Sequence, residues 1–243
     1  MHIIKLDATD STNTFLRQLS SDKLLDDYTV VVAESQLKGR GQMGTSWSSK
    51  PGKNLVASVF IDISFLAMDY SFWISMATSL AIAKTLKDFQ IRNIKVKWPN
   101  DILAGQKKIS GVLIENVIKN SKLKACIIGF GLNVNQVQFD NLPLATSMHM
   151  VSKKTYNLDV ILKQVIDNLQ NYMTQLKEGD FTNIKAHYES ELFRKEKPST
   201  FEDVEGTLFS GFIKGVSNSG HLRVMIEDGI FKEFDLKEVK LLY

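Results

Sequence analysis

Residues 108–130 read KISGVLIENVIKNSKLKACIIGF, and this stretch decides the fold class. Two apolar runs rich in β-branched residues, 108–118 and 122–130, flank the polar triplet 119–121, whose composition is typical of a hairpin turn. Strands joined by so short a turn pair antiparallel. With the helices predicted below, the sequence indicates an α+β fold built on a mixed or antiparallel sheet flanked by helices.

Strand and helix patterns continue on both sides of this hairpin. Strands are predicted over 3–6, 28–33, 55–63 and 94–98, and helices from the hydroxyl-rich turn at 10–13 and over 69–89, 158–176 and 181–192. After a charged linker at 193–198, short strands at 205–214, 221–227 and 230–235 alternate with turns. We therefore predict a large domain over 1–194 and a small all-β domain over 195–243.

Composition excludes several classes of protein. The 243 residues are 44% hydrophobic and 23% charged, the balance of a globular chain. The longest weakly polar run, 71–83, is shorter than the roughly 20 residues of a membrane span, and residues 1–7 lack a secretory pattern. A net charge of +3 is too small for a nucleic-acid footprint. We expect a cytoplasmic protein that binds neither membrane nor DNA.

Cysteine and histidine usage argues against a built-in metal site. The single cysteine, Cys126, lies in the apolar run 125–130 and is expected to be a buried thiol. The four histidines are scattered, with no pair at a ligand spacing. Metal chemistry would therefore have to enter with a substrate.

A long loop between two predicted strands carries the first candidate site. Residues 35–54 lack apolar periodicity and hold the basic stretch Lys38-Gly39-Arg40-Gly41-Gln42-Met43-Gly44. Backbone N–H groups beside glycines can approach an anion, and an arginine can bind a carboxylate or phosphate through two hydrogen bonds. The spacing matches neither common nucleotide-binding glycine motif, so a flexible surface loop is the alternative.

Two further stretches place polar groups at strand ends. Lys97-Trp98-Pro99-Asn100-Asp101 leaves an amide and a carboxylate after a strand, where Asp101 can hold a magnesium-bound phosphate, orient an amine, or only make a turn. Lys108 brings a point charge, unless it is a solvated strand end, and Gly111 permits close approach of a ligand. Asn133, after Gly129-Phe130-Gly131-Leu132, can read an adenine edge, with a plain bulge as the alternative.

Together these motifs resemble the biotin protein ligases. Their order is Asp10-Ser11-Thr12-Asn13, Glu34-Ser35-Gln36 before Gly39-Arg40-Gly41, Lys97-Trp98-Pro99-Asn100-Asp101, Lys108-Ile109-Ser110-Gly111 and Gly129-Phe130-Gly131-Leu132-Asn133. The resemblance spans nearly the whole chain and is to the short form, without an N-terminal DNA-binding domain. It implies a catalytic domain like that of class II synthetases followed by a small SH3-like β-barrel.

The resemblance also implies roles for individual residues. The implied catalytic residues are Lys108, Arg40 and Asp101. Biotin is implied to contact Ser11, Thr12, Asn13, Gln36, Gly39, Arg40, Gly41, Gln42, Lys108 and Gly111, the first four at its ureido ring and Arg40 at its carboxylate. ATP and the adenylate are implied to contact Arg40, Gln42, Trp47, Asn100, Asp101, Lys108, Gly129, Gly131 and Asn133.

The implied reaction has two steps. Biotin attacks the α-phosphate of ATP, with Mg²⁺ bound near Asp101, and the biotinyl-adenylate is then attacked by a lysine of a biotin carboxyl carrier protein. The chain departs from the family pattern at Gln42 and Thr45, where arginines are common, so the loop carries less positive charge. Lys38 or Lys53 can compensate. A lipoate or octanoate ligase and a non-catalytic biotin sensor are the alternatives, and either a monomer or a homodimer is expected.

Overall fold

A seven-stranded mixed sheet forms the centre of the computed structural model, which describes residues 2–243 (the Met43 side chain excepted). Its strands run in the spatial order β1-β2-β3-β7-β6-β5-β4, with β1 and β2 parallel and all other neighbours antiparallel. The strands are β1 (His2–Thr9), β2 (Thr29–Gln36), β3 (Leu55–Asp62), β4 (Ile94–Lys97), β5 (Asp101–Ala104), β6 (Lys107–Lys119) and β7 (Lys122–Leu132). The predicted mixed sheet and its central hairpin are confirmed.

Helices cover both faces of this sheet. They are α1 (Thr12–Asp22), α2 (Phe72–Asp88), α3 (Met148–Ser152), α4 (Leu158–Lys177) and α5 (Phe181–Glu191). On one face α2 packs between the sheet and the helices α4 and α5, which is why it is buried around most of its circumference. On the other face α1 packs through Leu16 against Val31 and Ile127.

The structure corrects the prediction for Asp101, which belongs to the short β4–β5 hairpin that precedes the β6–β7 hairpin. Sequence patterns ended a strand at residue 98 and left Asn100-Asp101 as a strand end or turn. In the structure, Asp101 is the first residue of β5, and it pairs with Lys97 across the turn. Strand β5 was not predicted because it has only four residues and directly follows a turn that contains a proline, so no alternation marks it.

The C-terminal residues form a second, five-stranded antiparallel sheet in the order β11-β10-β9-β8-β12. Its strands are β8 (Pro198–Asp203), β9 (Leu208–Val216), β10 (Leu222–Met225), β11 (Phe231–Phe234) and β12 (Val239–Leu242). The sequence predicted β9 to β11 but missed β8 and β12, and the predicted linker runs into β8, which begins at Pro198. The domain boundary at residue 195 and the closure of this sheet into a barrel stay predictions.

The second sheet is attached close to the turn that precedes Asp101. Trp98 donates its indole N–H to the carbonyl of Gly220 at 2.9 Å. Glu189 of α5 accepts the backbone N–H of Val216 at 3.0 Å. These contacts fix the C-terminal sheet beside residues 97–101. No helix among residues 2–243 is long and apolar enough to cross a membrane.

Candidate functional site

A cavity of about 270 Å³ lies on the face of the large sheet that carries α1. Its walls bring together five stretches that are far apart in sequence: the start of α1, the end of β2 with the following loop, β3, the turn before β5, and the β6–β7 hairpin. The lining residues are Ser11, Thr12, Asn13, Gln36, Arg40, Gly41, Gln42, Thr45, Ser46, Trp47, Val56, Ala57, Asn100, Asp101, Lys108, Gly111, Val112, Leu113, Gly129, Phe130 and Gly131.

Three glycines make the floor of the cavity flat. Gly111 of β6 lies opposite Gly131 of β7, and Gly129 lies two residues away on the same face. A Cβ atom on Gly129 would collide with the side chain of Asn13, and one on Gly131 would collide with the indole of Trp47. The glycines therefore let one side chain from α1 and one from the loop lie directly on the sheet.

One end of the cavity, which we call the polar end, is a network of uncharged groups. Gln36 accepts two hydrogen bonds at Oε1, from the backbone N–H of Thr12 at 2.8 Å and from its hydroxyl at 3.1 Å. The buried Ser58 hydroxyl lies 2.7 Å from Thr12 Oγ1 and 2.6 Å from Asn13 Oδ1. Ser11 is the N-cap of α1, but its side chain makes no capping hydrogen bond. The polar end thus holds short polar side chains in fixed positions.

Arg40 reaches this polar end rather than the opposite one. Its guanidinium lies 3.2 Å from both carboxylate oxygens of Glu115 on β6. Glu115 is four residues beyond Gly111, which at about 3.3 Å per residue places it roughly 13 Å along the strand. The structure therefore does not bring the Arg40 guanidinium to the Lys108 ammonium, although both residues line the same cavity.

The opposite end, which we call the lysine end, is charged. The Lys108 ammonium lies 2.6 Å from Asp101 Oδ1, and both side chains are partly exposed. Lys108 pairs with Leu103 while Ser110 pairs with Ile102, so Ile109 is an extra residue at a β-bulge. Strict alternation would place Lys108 and Gly111 on opposite faces, but the bulge turns the lysine onto the cavity face. Its Nζ would lie 3.1 Å from a Cβ on Gly111.

Trp47 lies beside the lysine end. Its ring lies on Gly131, and the Lys108 ammonium is 5.6 Å from the centre of that ring. The buried indole N–H finds no hydrogen-bond partner within residues 2–243. A ring held flat beside a cation offers a stacking surface for a planar ligand.

The loop that carries Arg40 and Trp47 is more ordered than its sequence indicates. Gly41 N–H donates to Thr45 O at 2.7 Å, and Trp47 N–H donates to Gly39 O at 2.9 Å, which makes residues 39–47 a small hairpin. At its base Lys38 is paired with Asp10 at 3.0 Å. The hairpin forms one wall of the cavity, as the first of the two sequence interpretations requires, and whether the loop is also flexible stays untested.

Three predicted site residues have other positions or contacts than the sequence indicated. Gly39 and Asn133 do not line the cavity. Asn133 is buried, with its amide nitrogen 3.0 Å from Thr146 O and its Oδ1 without a partner within residues 2–243. Asn100 lines the cavity but donates its amide to the Val112 carbonyl, so it also braces β6. The predicted roles of these residues stay predictions.

Two polar residues near the cavity, Ser58 and Glu115, were missed by the sequence analysis. Each lies in the middle of a strand and carries no motif signal of its own. The only available signal was a polar residue in the middle of an otherwise apolar strand. Cys126 is buried as predicted, and burial raises the pKa of its thiol far above the ordinary value. Within residues 2–243 no cluster of three metal-ligating side chains occurs.

Comparison with known proteins connects this geometry to a family and to individual relatives. The family model described as the biotin/lipoate A/B protein ligase family matches residues 6–133. The bifunctional ligase/repressor BirA of Bacillus spizizenii is 28% identical over 240 residues, covering 95% of this chain and 71% of that protein. The biotin--[acetyl-CoA-carboxylase] ligase of Mycobacterium tuberculosis is 30% identical over 143 residues, 58% of this chain and 52% of that protein.

A solved structure shares the fold over both sheets. The biotin protein ligase from Aquifex aeolicus, in complex with biotin and ATP, superimposes with a TM-score of 0.83 and 26% identity, covering 99% of this chain and 98% of that one. The similarity therefore extends through the C-terminal sheet, beyond the residues that the family model matches.

Proposed function

The chain belongs to the biotin/lipoate A/B protein ligase family, and on that premise we propose that it activates biotin with ATP and transfers it to a lysine of a biotin carboxyl carrier protein. The observation that carries the choice of biotin is the polar end of the cavity. An acyl chain such as octanoate would leave the hydrogen-bonding capacity that this network does not use, such as the Gln36 amide nitrogen, buried without a partner, which is costly.

A cyclic urea matches the hydrogen-bonding groups that the polar end still offers. Both donors of the Asn13 amide are used, at 2.9 Å to Glu115 and 3.2 Å to Leu113 O, so Asn13 presents its oxygen as an acceptor. Gln36 accepts at its oxygen, which leaves its amide nitrogen as a donor. The ureido ring has two N–H donors and one carbonyl acceptor, so it can pair with both kinds of group.

The first chemical step requires the charges of the lysine end. A carboxylate oxygen of biotin attacks the α-phosphorus of ATP, and the bond from that phosphorus to the bridging oxygen breaks, releasing pyrophosphate. Bringing one anion to another is opposed by electrostatic repulsion, which the Lys108 ammonium offsets in the proposed complex. Mg²⁺ bound to phosphates needs only one or two protein carboxylates, and Asp101 is the carboxylate in the cavity lining that can supply one.

Two unpaired buried atoms support a nucleotide near this end. Trp47 offers a flat ring and a buried N–H without a partner within residues 2–243. Asn133 Oδ1 is a buried acceptor, likewise unpaired in that range, and an adenine amino group is the complementary donor. Because the Asn133 side chain lies outside the cavity lining, the adenine would have to open this region when it binds.

The second step transfers biotin to the acceptor. An unprotonated lysine of the carrier protein attacks the acyl carbon of the adenylate, AMP leaves, and the new amide nitrogen loses a proton. Asp101 is our candidate to orient this amine, since it already holds an ammonium group at 2.6 Å. We expect the reaction to take place in the cytoplasm and without DNA, by a monomer or homodimer.

Pyrophosphate release with ATP and Mg²⁺ tests the function directly. We expect release with biotin, little with lipoate or octanoate, and a one-biotin mass increase on an added carrier domain. In Lys108→Ala we expect adenylation to fall by about 10²- to 10³-fold, the range seen when one charge-stabilising group is removed. Lys107→Ala is the matched control, because Lys107 is the exposed neighbour on the same strand.

Each other outcome of this experiment identifies an alternative. Turnover with lipoate or octanoate in place of biotin would assign the chain to the other activity of its family. Biotin binding without pyrophosphate release would favour a biotin sensor. An equal loss of activity in the Lys107 and Lys108 variants would contradict the role given to Lys108.

A further inference from the structure

Glu115 joins the Arg40 hairpin to the polar end of the cavity. Its carboxylate accepts Arg40 on one side and Asn13 on the other, the second at 2.9 Å. It lies on a central strand of the large sheet, paired with Ile127 of β7. The partner of Arg40 is therefore fixed by the sheet, whereas Arg40 itself lies on a loop.

We propose that Glu115 is a positioning residue, which fastens the hairpin 39–47 over bound biotin through Arg40 and fixes the orientation of the Asn13 amide. This proposal rests on the proposed function, since it assigns biotin to the polar end. Glu115 does not line the cavity, so it acts through its two partners and not by touching the substrate.

The hydrogen bonds around Asn13 require an acceptor at the position of Glu115. The Asn13 amide could be turned either way, but Glu115 and the Leu113 carbonyl are both acceptors and therefore draw its nitrogen toward β6. Its oxygen then faces the Ser58 hydroxyl at 2.6 Å. Without the Glu115 carboxylate, only the Leu113 carbonyl draws the Asn13 nitrogen toward β6. The Asn13 oxygen is then no longer fixed as the acceptor that faces the ligand.

The second contact stabilises the closed hairpin. The Glu115 side chain is 20% exposed and that of Arg40 46%, so this ion pair is better shielded from solvent than the exposed Lys38–Asp10 pair at the base of the same hairpin. Hydrogen bonds to charged groups contribute more to stability than exposed ion pairs do. Loss of the Arg40 contact should therefore loosen the hairpin more than loss of the basal pair.

Biotin affinity measured by calorimetry without ATP tests the proposal in Glu115→Gln. Glutamine keeps the shape but places a donor beside the Arg40 guanidinium, and we expect biotin binding to weaken by about 10- to 100-fold. The turnover rate at saturating biotin should change by less than about threefold. Asp10→Asn, which breaks the exposed pair of the hairpin, is the matched control and should keep biotin affinity within about twofold.

A double-mutant cycle with Arg40→Met distinguishes positioning from general loss of structure. We expect Glu115→Gln and Arg40→Met to weaken biotin binding by similar factors and the double variant to be no weaker than the worse single variant. Hydrogen exchange at the Gly41 and Trp47 amides, which close the hairpin, should accelerate in both single variants but not in Asp10→Asn.

Three results would overturn the proposal. One is an unchanged biotin affinity in Glu115→Gln, and another is strict additivity in the cycle. The third is release of biotinyl-adenylate by Arg40→Met but not by Glu115→Gln, because that would make Arg40 a ligand of the intermediate rather than a fastener. If the wild-type chain itself binds no biotin, the proposed function fails, and the role of Glu115 fails with it.

Discussion

The two ends of the cavity are built on different principles. At the polar end, neutral groups from α1, β2 and β3 are joined to one another by hydrogen bonds and are nearly all buried. At the lysine end, a partly exposed ion pair and a tryptophan lie on a glycine floor, and the indole N–H has no partner within residues 2–243. If the proposed function holds, the part of the cavity that binds the rigid, neutral head group of biotin is preformed, whereas the part where the charged reaction occurs is completed by substrates.

Replacing Gly129 or Gly131 by alanine is expected to give the largest difference in biotin affinity between the two ends of the cavity. Gly129→Ala pushes a methyl group into Asn13, which is held in a buried network and cannot move without breaking it. Gly131→Ala pushes into Trp47, which lies on a loop and can swing away. We expect Gly129→Ala to weaken biotin binding by 100-fold or more, and Gly131→Ala by less than tenfold, by calorimetry. Equal losses would show that both ends are equally rigid.

Ser58→Ala tests how far the polar end depends on its network. Ser58 is fully buried, and its removal leaves the Thr12 and Asn13 oxygens with one partner fewer. We expect a loss of about 1–3 kcal/mol in the free energy of unfolding and a weakening of biotin binding by roughly 10-fold or more. Urea denaturation and calorimetry measure the two effects. Thr78→Ala is the control, because its hydroxyl is also buried but bonds within α2.

Varying the ionic strength compares the contributions of charge at the two ends of the cavity without a mutation. The lysine end acts through partly exposed charges, which salt screens, whereas the polar end acts mainly through uncharged groups and contains one ion pair, Arg40–Glu115. Between about 0.05 and 0.5 M salt we expect the KM for ATP to rise several-fold and the Kd for biotin to rise less, because of these groups salt screens only the ion pair. A parallel rise in both constants would show that the two ends depend on charge to the same extent.

Lys97→Met should give the smallest effect on stability. Burial lowers the pKa of Lys97, although nearby Asp101 raises it. Since the pKa in the folded state is below its ordinary value, the charged form destabilises the fold at neutral pH, and this cost disappears as the pH rises toward 10.5. We expect Lys97→Met to be slightly more stable than wild type at pH 7, with the difference shrinking by pH 10. Urea unfolding at both pH values checks the sign.

Much of the fold could be predicted because long helices and strands show a clear apolar periodicity in the sequence. The β6–β7 hairpin and the helix α4 have enough residues for their periodicity to be unmistakable, and both were predicted within two residues of their bounds. The four-residue strands β5 and β12 were missed because their few positions show no alternation, and no turn motif marks them as it marks β10 and β11. Tertiary pairing with a longer neighbour, not local preference, makes them strands.

The candidate site shows the same division. Of the residues selected from motifs, Ser11, Thr12, Asn13, Gln36, Lys108 and Asp101 all line one cavity. The motifs could not reveal Ser58, whose importance lies in a contact with α1, or the direction taken by the Arg40 side chain. Hydrogen bonds of this kind join positions that no local pattern connects.

The chemical groups that this protein has available, and their order along the chain, can be read from its sequence. They include the polar turn at 10–13, the glycines that permit close approach, and a lysine at the head of a strand. The positions of these groups relative to one another depend on the folded chain. The bulge at Ile109 turns Lys108 onto the cavity face, and a strand 75 positions from Arg40 supplies its partner. Both depend on strand register, which the packing of the whole sheet fixes.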